Sequence, residues 1–154
     1  MAYLEPSGYW PLREAIAAYL AVGRGTICPA RQVVITNGYQ GALDLIVSAL
    51  LQKNEKIWFD DRCYLHARSA FEVAGVELVP IPIDGEGMRV DVGRACAPRA
   101  RLAVVTPSHQ SPLGVALSLP RRLALLSWAA EARAVVIEDD YDGEFHYTGR
   151  PLPA

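Results

Sequence analysis

Residues 134–147 read Ala-Val-Val-Ile-Glu-Asp-Asp-Tyr-Asp-Gly-Glu-Phe-His-Tyr, and the run changes from apolar to acidic within four positions. Val135, Val136 and Ile137 are β-branched and uncharged, the pattern of a strand buried on both faces, as in parallel sheets. Glu138, Asp139 and Asp140 follow at once, then Tyr141. A carboxylate at the end of a buried strand can hold a divalent metal, act as a general base, or pair with a protonated ring nitrogen. Neighbouring side chains of an extended chain face opposite ways, so Asp139 and Asp140 do not readily share a ligand, whereas Asp139 and Tyr141 project to one side. A solvated strand end whose acids cap the next segment accounts for the same letters.

Outward from this stretch, strands alternate with helices along the chain. That alternation is the signature of a parallel sheet covered on both faces. Residues 11–25 open with Pro11 in a first turn and close on Gly23, with Leu12, Ile16, Tyr19 and Leu20 on one helical face. Residues 32–38 read as a β-branched strand ending in a turn. Residues 39–52 read as a helix with an apolar face broad enough to be mostly buried. Residues 56–60 form the next strand, and a helix ending at Gly75 follows. Residues 76–84 are a strand whose prolines place it at an edge, 84–88 a turn, and 89–98 a short helix or irregular crossing. Residues 101–107 are a strand, Ser118 caps a helix beginning at Pro120, and 134–140 are the last strand. The expectation is one α/β domain over residues 1–154, three-layered (α/β/α), with a mostly parallel sheet.

Three of these strands end in polar or glycine-containing loops, at Thr36–Gly38, Thr106–Gly114 and Asp139–Tyr141. In an open parallel sheet such ends converge on one crevice, where ligands bind. The turn Asn37-Gly38-Tyr39-Gln40 reads in two ways: as an ordinary cap and turn, or as helix-terminal N–H groups aimed at an anion, above all a phosphate. There is no GxGxxG and no GxxxxGK[ST], so the nucleotide fingerprints built on them are absent. Tyr64 opens a helix after a strand, where its ring can pack or lie over a flat ligand.

The bulk numbers limit the partners. The 154 residues carry a formal net charge of −2 and are 51% apolar, which gives no general attraction to nucleic acid or to an anionic membrane. Cys28, Cys63 and Cys96 form no CxxC, and His66, His109 and His146 are scattered, so a zinc site has little support and reduced thiols fit best. With no apolar run of membrane-spanning length and no signal-peptide pattern at the amino terminus, the expected location is cytoplasmic.

Four segments, residues 6–20, 32–46, 106–114 and 137–147, carry a family resemblance. In that order they resemble the large domain of fold-type I, pyridoxal-phosphate-dependent aminotransferases. The wording TPSHQ…PxG and EDDYDxEF is most similar to the aminotransferase-like domain of MocR-type regulators, in which a GntR-type winged helix precedes that domain. The resemblance implies pyridoxal 5′-phosphate as cofactor. It implies Gly38, Tyr39 and Gln40 at the phosphate and Tyr64 stacked on the ring. It further implies Asp139 at the ring nitrogen, Tyr141 at the phenolic oxygen, and the His109-Gln110-Ser111 loop, with Ser111, beside that oxygen.

Departures accompany the match. Arg62 and Cys63 stand where a Pro-Gly pair precedes the stacking tyrosine, and Ser111 and Leu113 replace an aromatic and a threonine. The resemblance places a Schiff-base lysine some tens of residues beyond Tyr141, whereas the chain's lysines are Lys53 and Lys56, neither at a matching position. The resemblance therefore implies a partial domain with no catalytic residue of its own, inactive alone. The alternative is an effector-sensing or dimerisation module of a regulator. The related sheet order, 3-2-4-5-6-7-1, implies that strands 1–5 are present, with open edges at residues 32–36 and 134–138. Open apolar edges imply a homodimer or larger assembly. The other implied partner is a small amino compound; nucleic acid and membrane are not expected for this chain alone.

Overall fold

Four parallel strands in the order β2-β1-β5-β6 form the central sheet of the computed structural model, which describes residues 5–62 and 65–143, with the backbone alone at 65 and 66. Numbered as strands 2 to 5 of the related fold, these give 3-2-4-5, as expected. In chain order the elements are α1 (Trp10–Gly23), a 3-10 turn (Ala30–Gln32), α2 (Gly38–Leu50), β1 (Lys56–Asp60), α3 (Leu65–Val73), β2 (Glu77–Ile81), β3 (Ile83–Asp84), β4 (Gly87–Met88), α4 (Val90–Cys96), β5 (Leu102–Val105), α5 (Leu119–Ala132) and β6 (Val135–Glu138). The described residues fall into two compact units, one within residues 1–42 and the other Leu43–Gly143.

The second unit holds the sheet. β5 is buried along its whole length, as an inner parallel strand must be, and β2 with Pro80 lies at an edge. Side chains of β1 alternate between two layers. Trp58 stacks on Trp128 of α5, ring centroids 3.6 Å apart and planes 17° off parallel. Phe59 points the other way, into an edge-on contact with Phe71 of α3 at 5.5 Å. α4 and α5 therefore cover one face and α3 the other, giving three layers. Both indole N–H groups donate to carbonyls of the α4–β5 connection, Trp58 to Ala97 (2.9 Å) and Trp128 to Pro98 (3.0 Å). α4 approaches closely because it presents Gly93, where a methyl group would meet the Trp58 ring at 2.9 Å. Ser118 caps α5 by accepting the Arg121 N–H, and a β3–β4 hairpin turns at Gly85-Glu86.

In the first unit, the face of α1 differs from the spacing-based expectation. Its buried residue is Arg13, 2% exposed, while Leu12 and Tyr19 face out. The Arg13 Nε–H donates to the carbonyls of Ala30 (3.2 Å) and Val33 (2.7 Å), and Nη1 lies 3.0 Å from the Glu5 carboxylate. These partners compensate for burying the charge. Residues 32–36 are not a strand. The Ile35 N–H bonds to the Ser7 carbonyl, one backbone bond where a ladder needs a run of them. α2 is also less buried than expected, with Leu43 and Val47 inside and Leu45 and Leu50 exposed. Among the described residues no helix is long and apolar enough to cross a membrane.

Candidate functional site

Because β1, β5 and β6 are parallel, the segments that follow them emerge on one side of the sheet. After β6 the ladder continues one residue further, the Asp139 N–H donating to Val105 O at 2.9 Å, so the Asp139 carboxylate is held at the strand end, half-buried. The next three side chains reach the loop that follows β5. Ser108 Oγ donates to Asp140 (3.2 Å), His109 Nδ1 lies 3.3 Å from Asp142, and the Tyr141 hydroxyl donates to the His109 carbonyl (2.9 Å). Partial burial, then the carboxylates of Asp142 and Asp139, raise the Tyr141 pKa above its ordinary value. The phenol thus stays protonated and remains a donor.

The loop after β5 folds back on itself. Gln110 N–H donates to Val115 O (2.9 Å) and Gly114 N–H to Gln110 O (2.6 Å). Gly114 takes a φ of +68°, a conformation that costs an L side chain strain. Ser111 is exposed on this turn. Gln110 is 4% exposed, and its side chain is occupied on both ends. Nε2 donates to Arg62 O (2.9 Å) and Ser111 O (2.7 Å), while Oε1 accepts from the Leu113 N–H (3.3 Å).

Sequence reasoning passed over Asp60. It ends β1, is 7% exposed, and lies beside the Gln110 side chain. Burial pushes its pKa up to about 7 against the opposing pull of the Gln110 side chain, with Asp61 adding a smaller upward push. The available signal was positional: Asp60 stands at the end of a buried strand, as Asp139 does. Gln110 stood out only as a neighbour of Ser111, and its burial was not foreseen.

In the other unit, Gly38 begins α2 with a φ of +74° and open space where a side chain would project. Tyr39 is half-buried and Gln40 exposed. The expected stacking residue, Tyr64, lies outside the described residues. Of the expected site residues in the second unit, the structure brings Tyr141 and the Ser111 loop together, with Asp139 at the root of the Tyr141 segment. Among the described residues no cluster of His, Cys, Asp or Glu can hold a metal ion.

Comparison with known proteins agrees with this architecture. A family model for aminotransferase class I and II matches residues 1–150. HTH-type transcriptional regulator YdeL of Bacillus subtilis is 42% identical over 147 residues, covering 96% of this chain and 31% of that protein. The probable rhizopine catabolism regulatory protein MocR of Rhizobium meliloti is 38% identical over 148 residues, covering 96% of this chain and 30% of that protein. The crystal structure of Pyrococcus horikoshii kynurenine aminotransferase, in complex with PMP, superimposes with a TM-score of 0.89 at 31% identity, over 99% of this chain and 39% of that one. The chain spans about 30% of the length of these two regulators. With the family model covering nearly every residue and the sheet order in agreement, the chain belongs to the aminotransferase class I and II family, with MocR-type regulators among its relatives.

Proposed function

We propose that this chain is the cofactor-side part of an aminotransferase-like domain of a MocR-type regulator, and that it binds pyridoxal 5′-phosphate without a covalent bond. The observation that carries the reading is the end of β6, where a half-buried Asp139 carboxylate and the protonated Tyr141 phenol stand beside the Ser108–Ser111 turn. This donor set suits the group: an anion for a ring nitrogen and hydroxyl donors for a phenolic oxygen. Asp139 would hold the ring nitrogen, Tyr141 and Ser111 the phenolic oxygen, Tyr64 the ring face, and Gly38, Tyr39 and Gln40 the phosphate. When bound, the protonated ring supplies an electron sink for carbanion chemistry. To serve that oxygen, Tyr141 must release the His109 carbonyl, since a phenol has one proton to donate.

Neither lysine of this chain can reach the end of β1. Lys56 begins β1 and is paired with Glu77 at 3.0 Å, while Asp60 ends the same strand about 13 Å away at the usual rise per residue. Lys53 precedes Lys56, further still from the site. The binding proposed for these residues is therefore non-covalent. Titration by equilibrium dialysis tests the reading. Saturable binding is expected, weakened about tenfold or more by Asp139→Ala, since a hydrogen bond to a charged group contributes roughly 1.5–3 kcal/mol. Absence of saturation at millimolar cofactor would overturn it.

A second reading, dimerisation, is favoured by a separate observation. β6 is an edge strand carrying the partly exposed Val135, and Leu119, Leu123 and Leu126 form an exposed stripe along α5. We propose a second copy of this chain as the partner of that edge, in the cytoplasm. Sedimentation at micromolar concentration should give the mass of two chains; a folded monomer would contradict it.

A further inference from the structure

We infer that Gln110 is a positioning residue, a buried amide that clamps the segment after β1 to the turn after β5. The consequence for the cofactor rests on the reading above, but the clamp itself rests on geometry. One side chain, Gln110, bonds Arg62 O on one segment and both Ser111 O and Leu113 N–H on the other. Arg62 leads directly into Cys63 and Tyr64 in the sequence, and Ser111 is the hydroxyl assigned to the phenolic oxygen. The clamp thus joins the supports of two groups assigned to one ring.

The anchors lie at the ends of β1 and β5, strands that are themselves paired. Asp60 leaves β1 in register with Ile81, and the Asp61 N–H continues that ladder by donating to Ile81 O at 3.1 Å. The first segment is therefore tied to the sheet on one side and to Gln110 on the other. The amide nitrogen has two hydrogens, and the carbonyls of Arg62 and Ser111 accept them.

Amide hydrogen exchange on the folded full chain tests the clamp without any ligand. Gln110→Met keeps the side chain's length and removes its hydrogen bonds. Exchange at Asp61, before the clamp, and at Leu113 and Gly114, beyond it, should quicken together by about tenfold, while Trp58 and Val104 stay protected. Quickening confined to Leu113 and Gly114 would overturn the clamp, as would unchanged exchange at all three.

Equilibrium dialysis then separates clamp from cofactor. Gln110→Met should weaken pyridoxal phosphate about tenfold and leave inorganic phosphate within twofold, because the phosphate turn at Gly38 is a different segment. Equal weakening of both would mark a merely structural role and overturn the positioning claim. If the unsubstituted chain binds no pyridoxal phosphate while the exchange result holds, the cofactor reading fails and the clamp stands.

Discussion

Trp128→Ala is expected to cost about 3–5 kcal/mol of folding stability, the range for removing a large buried aromatic. Trp128 is 1% exposed, and its ring lies flat against Trp58, which is fully buried. Three losses combine in the substitution. The ring's contacts with Trp58 disappear, the Pro98 carbonyl loses the indole N–H, and a cavity is left in the core. The stack also ties α5 to β1, the strand that ends at Asp60. Urea denaturation followed by circular dichroism measures the change; a loss below 1 kcal/mol would show that the two rings do not form the centre of this core.

The second large effect is a dependence of stability on pH. The Asp60 pKa rises from 3.8 to about 7 in the folded chain. Between those values the folded state keeps a proton that the unfolded chain releases, so the contribution of Asp60 is complete below pH 3.8 and is lost as pH climbs through 7. A shift of roughly three units corresponds to about 4 kcal/mol at most. The shifted carboxylates of the described residues act in the opposite sense and in another window. Asp84, Asp91 and Glu131 are held below their ordinary values, Asp84 first by the Glu86 N–H, Asp91 by Arg89 and Glu131 by Arg94. What they add is lost only as pH falls through acid values, so pH 5 to 8 isolates Asp60. The urea midpoint should fall over that interval in the unsubstituted chain. In Asp60→Asn the fall should be largely abolished, leaving the variant the more stable at pH 8. Equal slopes in the two proteins would show that Asp60 does not keep its proton.

Periodicity carried most of the fold. The β-branched runs at 102–105 and 135–138 and the Pro11, Gly23 and Ser118 boundaries were legible because each depends on residues close in sequence. The failures are long-range. Residues 32–36 have strand composition, yet a strand exists only through its ladder, and composition does not say whether a neighbour is there to pair. Arg13 reads as solvent-facing until Ala30 and Val33 are seen to offer carbonyls to it. Leu12 and Tyr19, chosen for the core by spacing, are displaced from it by that arginine. At the site, Asp139, Tyr141 and Ser111 stood out because they end strands or occupy a recognisable loop. Asp60 did not, because the adjacent Asp61 and Arg62 make the stretch look like surface, and burial at a strand end depends on what packs over it from elsewhere in the chain.

The most direct test of a half-pocket for pyridoxal phosphate is a map of backbone amide chemical shifts as the compound is added to the isotopically labelled chain. Saturable shifts are expected at Ser111, Asp139 and Tyr141, with one common dissociation constant. Shifts at only one of these residues, or shifts centred on Lys53 and Lys56, would contradict the half-pocket.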